Sequence, residues 1–310
     1  MEVGISATRS VERTRLRAGA ATLDVFPEIG GAIGAFWSSV NGARIDWLRP
    51  ADDAAIERGE VEAMGCFPLV PFSNRVRNGC FVFDGVAAVI PPISGPHAEH
   101  GHGWRRPWRT IAQDLATTTI EFEMRDADWP FPYRARQNFR LSADRLDVTL
   151  SIENLGKRAM PVGLGLHPYF PRQSDCRLTA KVEGMWNVDT EVMPIDLAAP
   201  PPRDADPGRG LILDDIELDN CFTGWDGAAR IDWPARGTWL AMRASKTLRH
   251  LVVYSPRGES YFCAEPVSHC TDAFNLAAKG RTDTGALRLE PDEAIAATTI
   301  FQTGMIGEKE

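Results

Sequence analysis

The chain has 310 residues, 44% of them hydrophobic and 25% charged, an ordinary globular balance with enough apolar residues to bury a large core. Its 42 acidic and 34 basic residues leave a formal charge of −8, which argues against a general polyanion binder, so no nucleic-acid partner is expected. No uninterrupted apolar run approaches the ~18 residues of a membrane helix, and the charged N-terminal stretch lacks the apolar segment of a secretory signal; a cytoplasmic protein without a membrane partner is the expectation.

Helical patterning is weak and confined to residues 51–63, a short surface helix. Strand patterning dominates the rest. Cys80–Phe83 runs into Asp84-Gly85, a strong tight-turn pair. Residues 118–124 form a further strand. Residues 135–141 and 145–153 read as a hairpin around Ser142-Ala143-Asp144. In its second arm Leu146, Val148, Leu150 and Ile152 alternate with polar residues, so one face is buried and one is wet. Residues 177–182, 238–243, His250–Ser255, 260–265 and 294–302 complete the predicted strands. The Pro- and Gly-rich stretches 85–96 and 199–210 are too short for flexible interdomain linkers. No glycine-rich phosphate motif and no run of alternating strand and helix is present, which excludes the common nucleotide folds. Many short strands between turns predict an all-β protein, one large antiparallel sandwich in a single domain over residues 1–310. The six cysteines form no C-x-x-C pair and are expected to be reduced, mostly buried thiols.

Five stretches place polar residues inside apolar or aromatic surroundings. Arg75 lies in FSNRVRNG, where its planar fork can meet ligand oxygens or pair with a surface carboxylate. HAEHGHGW holds three of the six histidines; His100 and His102 are open there to a metal, a substrate hydroxyl or no special role. His167 in GLGLHPYF suits either acid–base work or a satisfied core position. Asp219 in LDNCFTG reads by itself as a turn or cap residue. Glu265 in FCAEP closes an apolar strand; burial there would raise its proton affinity and make it a better base.

In this order and context the chain resembles the aldose 1-epimerase (mutarotase) family. The matching stretches are FSNRVRNGCFVFDG, HGHGWRRPW, GLGLHPYF, LDNCFTGW and AEPVSHCTDAFN, between residues 72 and 275. The resemblance implies an antiparallel β-supersandwich with a sugar site in a cleft across one sheet. It implies Glu265 as catalytic base and His167 as general acid, with Arg75, His100 and Asp219 binding substrate. Trp104, Phe222 and Trp225 are candidates to stack on the sugar ring. The implied reaction interconverts the α and β anomers of a free aldose and demands proton transfers alone, so no cofactor and no metal is expected. The partner is a small sugar, and the chain a monomer or homodimer. Three departures stand out: Glu99 precedes His100, His102 occupies a position that is glycine in the best-known members, and Leu166-His167-Pro168-Tyr169-Phe170 replaces their N-H-S-Y-F form. Arg75, Arg77, Arg105, Arg106 and Arg109 lie near two site segments, which keeps a hexose 6-phosphate or other acidic sugar as the alternative substrate. A glycosidase-like use of Asp219 with Glu265, or a non-catalytic sugar-binding protein on the same fold, are the remaining alternatives.

Overall fold

The computed structural model describes residues 11–214 and 216–307. Two large antiparallel sheets dominate it. The rear sheet has nine strands in the order Arg109–Gln113, Thr117–Met124, Tyr133–Leu141, Arg145–Asn154, Ala294–Met305, Thr238–Ala244, Ala228–Trp233, Arg177–Ala180 and Leu211–Ile212. Six of its strands match predicted ones, whereas Arg109–Gln113, Ala228–Trp233 and Leu211–Ile212 are not among those expected, and the predicted strands at His250–Ser255 and 260–265 belong to the other sheet. Along Arg145–Asn154 every second residue is buried, and the others are partly wet. The wet face is held by cross-strand ion pairs, such as Glu121 with Arg109 and Arg136, both at 2.6 Å.

The front sheet has eleven strands. Its main path runs Thr14–Ala18, Ala21–Phe26, Ala32–Val40, Cys66–Leu69, Gly165–Pro171, Tyr261–Val267, His250–Ser255, Leu218–Thr223, Gly184–Val188 and Pro194–Ala198, with Ala43–Asp46 attached to Ala32–Val40. The inner faces of the two sheets share one apolar core. Phe170 lies opposite Phe262 within the front sheet, their rings 5.5 Å apart, and reaches Phe301 of the rear sheet at 6.4 Å. The outer face of the front sheet is covered too, by a second cluster around Phe67, Tyr169, Trp104, Val252 and Cys263. Its central strands are therefore buried on both faces, which is why they carry no alternation.

The helix expected over 51–63 is shorter. It spans Asp53–Arg58, capped by the Asp52 side chain and ended at Gly59 in the left-handed region, before a separate turn at Val61–Ala63. Asp84 and Gly85 both take positive φ, 48° and 76°, as a tight two-residue hairpin between Cys80–Phe83 and Val86–Val89 requires. Five cysteines are buried free thiols and Cys80 is exposed. No helix among the described residues is long and apolar enough to cross a membrane.

Phe170 is fully buried between the sheets. Phe170→Ala should destabilise the fold by about 3–5 kcal/mol, the usual range for deleting a core phenylalanine. Urea unfolding should show this as a lower midpoint with an unchanged slope.

Candidate active site

Residues alternate across a strand, and that places the chemistry. In Tyr261–Val267, Phe262 and Ala264 enter the main core, so Tyr261, Cys263 and Glu265 face outward. In Gly165–Pro171, Leu166 and Phe170 enter the core, and His167 and Tyr169 face outward. The register pairs Gly165 with Val267 and Tyr169 with Cys263, which sets His167 directly across from Glu265. Nε2 of His167 lies 3.3 Å from Oε1 of Glu265. Two strands further on, Asp219 faces the same way in Leu218–Thr223, opposite Tyr254. The turn expected around Asp219 is thus a strand; Asp219 has no capping role, because its segment pairs along its whole length with His250–Ser255.

These side chains floor a cleft of about 270 Å³, small beside the several hundred cubic ångströms typical of drug-sized ligands. Arg75, Glu99, His100, His167, Asp219 and Glu265 all line it, with Phe67, Asn74, Trp104 and three tyrosines around them. All five residues picked from the sequence therefore converge. Of the three candidate stacking rings, only Trp104 borders the cleft. Phe222 and Trp225 are buried in the main core and are corrected to packing residues.

His167 and Glu265 are 6% and 2% exposed. Burial pushes the Glu265 carboxyl well above its usual range, helped by the nearby negative charges of Asp219 and Glu99 and opposed by Arg75. Burial likewise pushes the His167 imidazole well below its usual range, assisted by the neighbouring His100. Oε2 of Glu265 and Nδ1 of His167 are buried without a protein partner. The imidazole is clamped between Phe67 and Tyr169, with ring centroids 4.5 and 4.7 Å away.

His100 is held from the side. The backbone amide of Asn74 donates to its Nδ1 at 3.2 Å, so Nε2 carries the proton of the neutral ring. Burial lowers its pKa to about 4, which leaves a neutral donor at physiological pH. His100 itself has a positive φ of 57°. The glycine after it has a physical reason: a Cβ on Gly101 would lie 2.3 Å from the carbonyl oxygen of Val70. His102 does not share this site. Its ring meets Trp129 at 5.9 Å, edge to face, and it does not border the cleft.

Arg75 sits in a two-residue strand, Arg75–Val76, paired with Ala98–Glu99, and Glu99 is its register partner. Its guanidinium lies 3.0 Å from Glu99 and 3.6 Å from Asp219. Burial raises the Asp219 carboxyl, Arg75 opposes this and Glu99 adds to it. The loop bearing Arg75 is pinned by the segment after Glu265. The Ser73 amide donates to Nε2 of His269, the Arg77 amide to Asp272, and the Asp272 amide to the Arg75 carbonyl. This gives the AEPVSHCTDAFN stretch a structural role beyond its glutamate.

Three residues carry no sequence signal that marks them. Tyr254 and Tyr261 form one wall. Arg49 lies 3.9 Å over the Tyr169 ring and 4.5 Å over that of Tyr261, and donates to the carbonyls of Glu62 and Met64. Arg105, Arg106 and Arg109 do not border the cleft. Arg105 lies over Trp104 toward a neighbouring hollow of about 600 Å³, Arg106 pairs with Asp126 and Arg109 with Glu121. That hollow shares Glu62 and Trp104 with the cleft but contains neither His167 nor Glu265.

Among the described residues, one cluster of metal-binding side chains has its ligand atoms within 4.8 Å of one another: His167, Cys263 and Glu265. Burial holds the Cys263 thiol well above its usual pKa, hence protonated. The set therefore offers an imidazole and a carboxyl suited to proton exchange.

The structure is thus a two-sheet antiparallel sandwich with a buried His–Glu pair on the outer face of one sheet, beneath a small polar cleft. The chain belongs to the aldose 1-epimerase family, whose model matches residues 12–302. It is 32% identical over 263 residues to the uncharacterized protein YphB of Escherichia coli K12, covering 82% of this chain and 87% of that one. It also resembles the crystal structure of a putative aldose 1-epimerase from E. coli K12, with a TM-score of 0.86 at 28% identity, over 96% of this chain and 100% of the other. A galactose mutarotase-like protein from Clostridium acetobutylicum shares the fold at 18% identity, with a TM-score of 0.83 over 96% and 99% of the two chains.

His100, His102, His250 and His269 all have pKa values lowered to about 4 by burial, against about 6.5 in an unfolded chain. Between those values the unfolded chain binds more protons than the folded one, so stability falls as pH falls. Unfolding free energy should drop steeply from pH about 6.5 toward about 4, by up to ~3 kcal/mol for each of the four imidazoles. Urea titrations across that range check it; a flat profile would contradict it.

Proposed function

We propose that the protein is an aldose 1-epimerase that interconverts the α and β anomers of a free aldose. The observation that carries this reading is the His167–Glu265 pair, buried and 3.3 Å apart at the floor of the cleft. Anomer exchange needs two proton transfers at neighbouring oxygens. Glu265 removes the proton from the C1 hydroxyl while His167 protonates the ring oxygen. The C1–O5 bond breaks, the electrons of the former O–H bond close the aldehyde C=O, and the sugar opens. Rotation about C1–C2 presents the other face. The C5 hydroxyl then attacks C1, His167 recovers its proton, and Glu265 returns the first one to the C1 oxygen. The pair ends each turnover with the single proton it began with.

That count fits the environment. Burial penalises both a charged imidazole and a charged carboxylate, so the pair shares one proton that rests on Glu265, and the ring-opening step begins when that proton passes across the 3.3 Å contact to His167, leaving Glu265 free to act as base. His100 donates from its protonated Nε2, and Arg75 with Asp219 offers donors and an acceptor to the ring hydroxyls. Proton transfer accounts for every step, so the residues at the cleft supply the whole chemistry. Arg106 and Arg109 already engage carboxylates away from the cleft, which weakens the case for a phosphorylated sugar.

Glu265→Gln keeps the side chain's shape but cannot accept a proton. It should lower kcat by about 100- to 10,000-fold with little change in fold. Decay of the optical rotation of fresh α-glucose or α-galactose, and anomer-exchange NMR, measure it; near-normal turnover contradicts the reading.

The pH–rate profile should be a broad plateau around neutrality. The acid limb, where the pair takes a second proton, should fall with a midpoint below the ordinary histidine value, because the imidazole is lowered. The alkaline limb, where the shared proton is lost, should have its midpoint well above the ordinary carboxyl value, because Glu265 is raised. A single rise through an ordinary carboxylate midpoint would exclude a coupled pair.

A further inference from the structure

The cleft is dominated by acidic side chains. Glu62, Glu99, Asp219 and Glu265 border it, against one arginine, Arg75. That arginine is already engaged. Its Nη2 meets Glu99 at 3.0 Å and its Nη1 lies 3.6 Å from Asp219. A guanidinium recognises an anion through its fork, and here one arm of the fork is bonded to Glu99 and the other faces Asp219, which leaves donors for neutral hydroxyls but no open fork for an anion. Arg49, the next cation, stacks over Tyr169 and Tyr261 and donates to two backbone carbonyls. Glu99 is fixed by backbone pairing: Ala98–Glu99 and Arg75–Val76 form a short antiparallel ladder with Glu99 opposite Arg75. Both side chains are only partly exposed, 27% and 24%, so solvent screens their interaction incompletely.

We propose that Glu99 sets the charge selectivity of the site: by holding Arg75 and lending the cleft its own carboxylate, it admits neutral and cationic aldoses and rejects sugars bearing a carboxylate or phosphate. The proposal rests on the epimerase reading of the same cleft. Rejection here works by repulsion as much as by a missing contact, because an acidic sugar meets Glu99 and Asp219 before it can reach Arg75. A 2-amino sugar in its ammonium form meets the opposite field. Glu99 acts both through Arg75 and by its own charge at the cleft, and its signature is a ratio between substrates.

The test is anomer-exchange NMR on glucose, glucuronate and 2-amino-2-deoxyglucose, below the pKa of the amine, with wild type, Glu99→Gln and Glu99→Asp. Wild type should favour glucose over glucuronate in kcat/KM by roughly a hundredfold, a difference that shrinks with added salt. Glu99→Gln should narrow that ratio at least tenfold and lower the relative rate on the amino sugar. Glu99→Asp, which keeps the charge, should retain most of the rejection even if its overall rate falls. An unchanged glucuronate-to-glucose ratio in an active Glu99→Gln enzyme would overturn the proposal, as would a wild type that accepts both sugars equally. Inactivity of wild type on all free aldoses would instead contradict the epimerase reading. The same sugar pairs measured as Kd by NMR titration then judge Glu99 independently of turnover.

Discussion

A carboxyl and an imidazole buried against each other can hold one proton cheaply and two net charges only at great cost. The His167–Glu265 contact imposes that constraint on this molecule, and much of the site's construction serves it. Adjacent antiparallel strands place the two side chains opposite each other with no freedom of register. Phe67 and Tyr169 fix the imidazole plane and keep water from its sides. The main core behind the sheet anchors the intervening residues Leu166, Phe170, Phe262 and Ala264, so the pair stands on rigid backbone. Groups held this way lose little freedom on binding substrate, which is the usual requirement for efficient proton transfer.

The sheet supplies the acid–base pair and the loops supply orientation. Arg75 and His100 lie on two loops that would be free to wander alone. They are tied to each other by the Asn74–His100 hydrogen bond and the Arg75–Glu99 ladder, and the Arg75 loop is tied to residues 268–275 through Ser73–His269 and Arg77–Asp272. The segment after Glu265 therefore links floor to rim. Gly101 lets the second loop pass the Val70 carbonyl at a distance no other residue permits. Charge then grades the cleft. Asp219 and Glu99 raise the proton affinity of Glu265, while Arg75 holds both within the limits of a folded site.

How much was legible in the sequence follows from which surfaces meet water. The rear strands have one wet face, so Leu146, Val148, Leu150 and Ile152 stood out by alternation. The front strands Cys66–Leu69 and Gly165–Pro171 are buried on both sides and read as unpatterned apolar stretches. The strand around Asp219 looked like a turn because its outward positions serve the cleft and carry polar residues. The five site residues drew notice as polar groups in apolar or aromatic stretches, but each alone read as well as a structural residue, and the resemblance to the epimerase family was what joined them into one site. Arg49, Tyr254 and Tyr261 drew none, since an arginine near a proline and tyrosines at strand positions are common everywhere. Glu99 was visible only as a departure from the family pattern. Its meaning needed the ladder that sets it against Arg75. The arginines at 105, 106 and 109 show the converse failure, since closeness to His100 in sequence did not place them in the cleft.

The proposed ring opening by the His167–Glu265 pair makes a commitment about which bond breaks. Proton transfer to the ring oxygen cleaves C1–O5 and leaves the C1–O1 bond intact, whereas a glycosidase-like attack by water would replace O1. The decisive measurement is ¹³C NMR of glucose labelled with ¹³C at C1 and ¹⁸O at O1, followed through enzyme-catalysed anomer exchange in unlabelled water. The account predicts that the ¹⁸O-shifted C1 signal survives many rounds of exchange, beyond the slow loss in the absence of protein. Loss of the label in step with each inversion would contradict it.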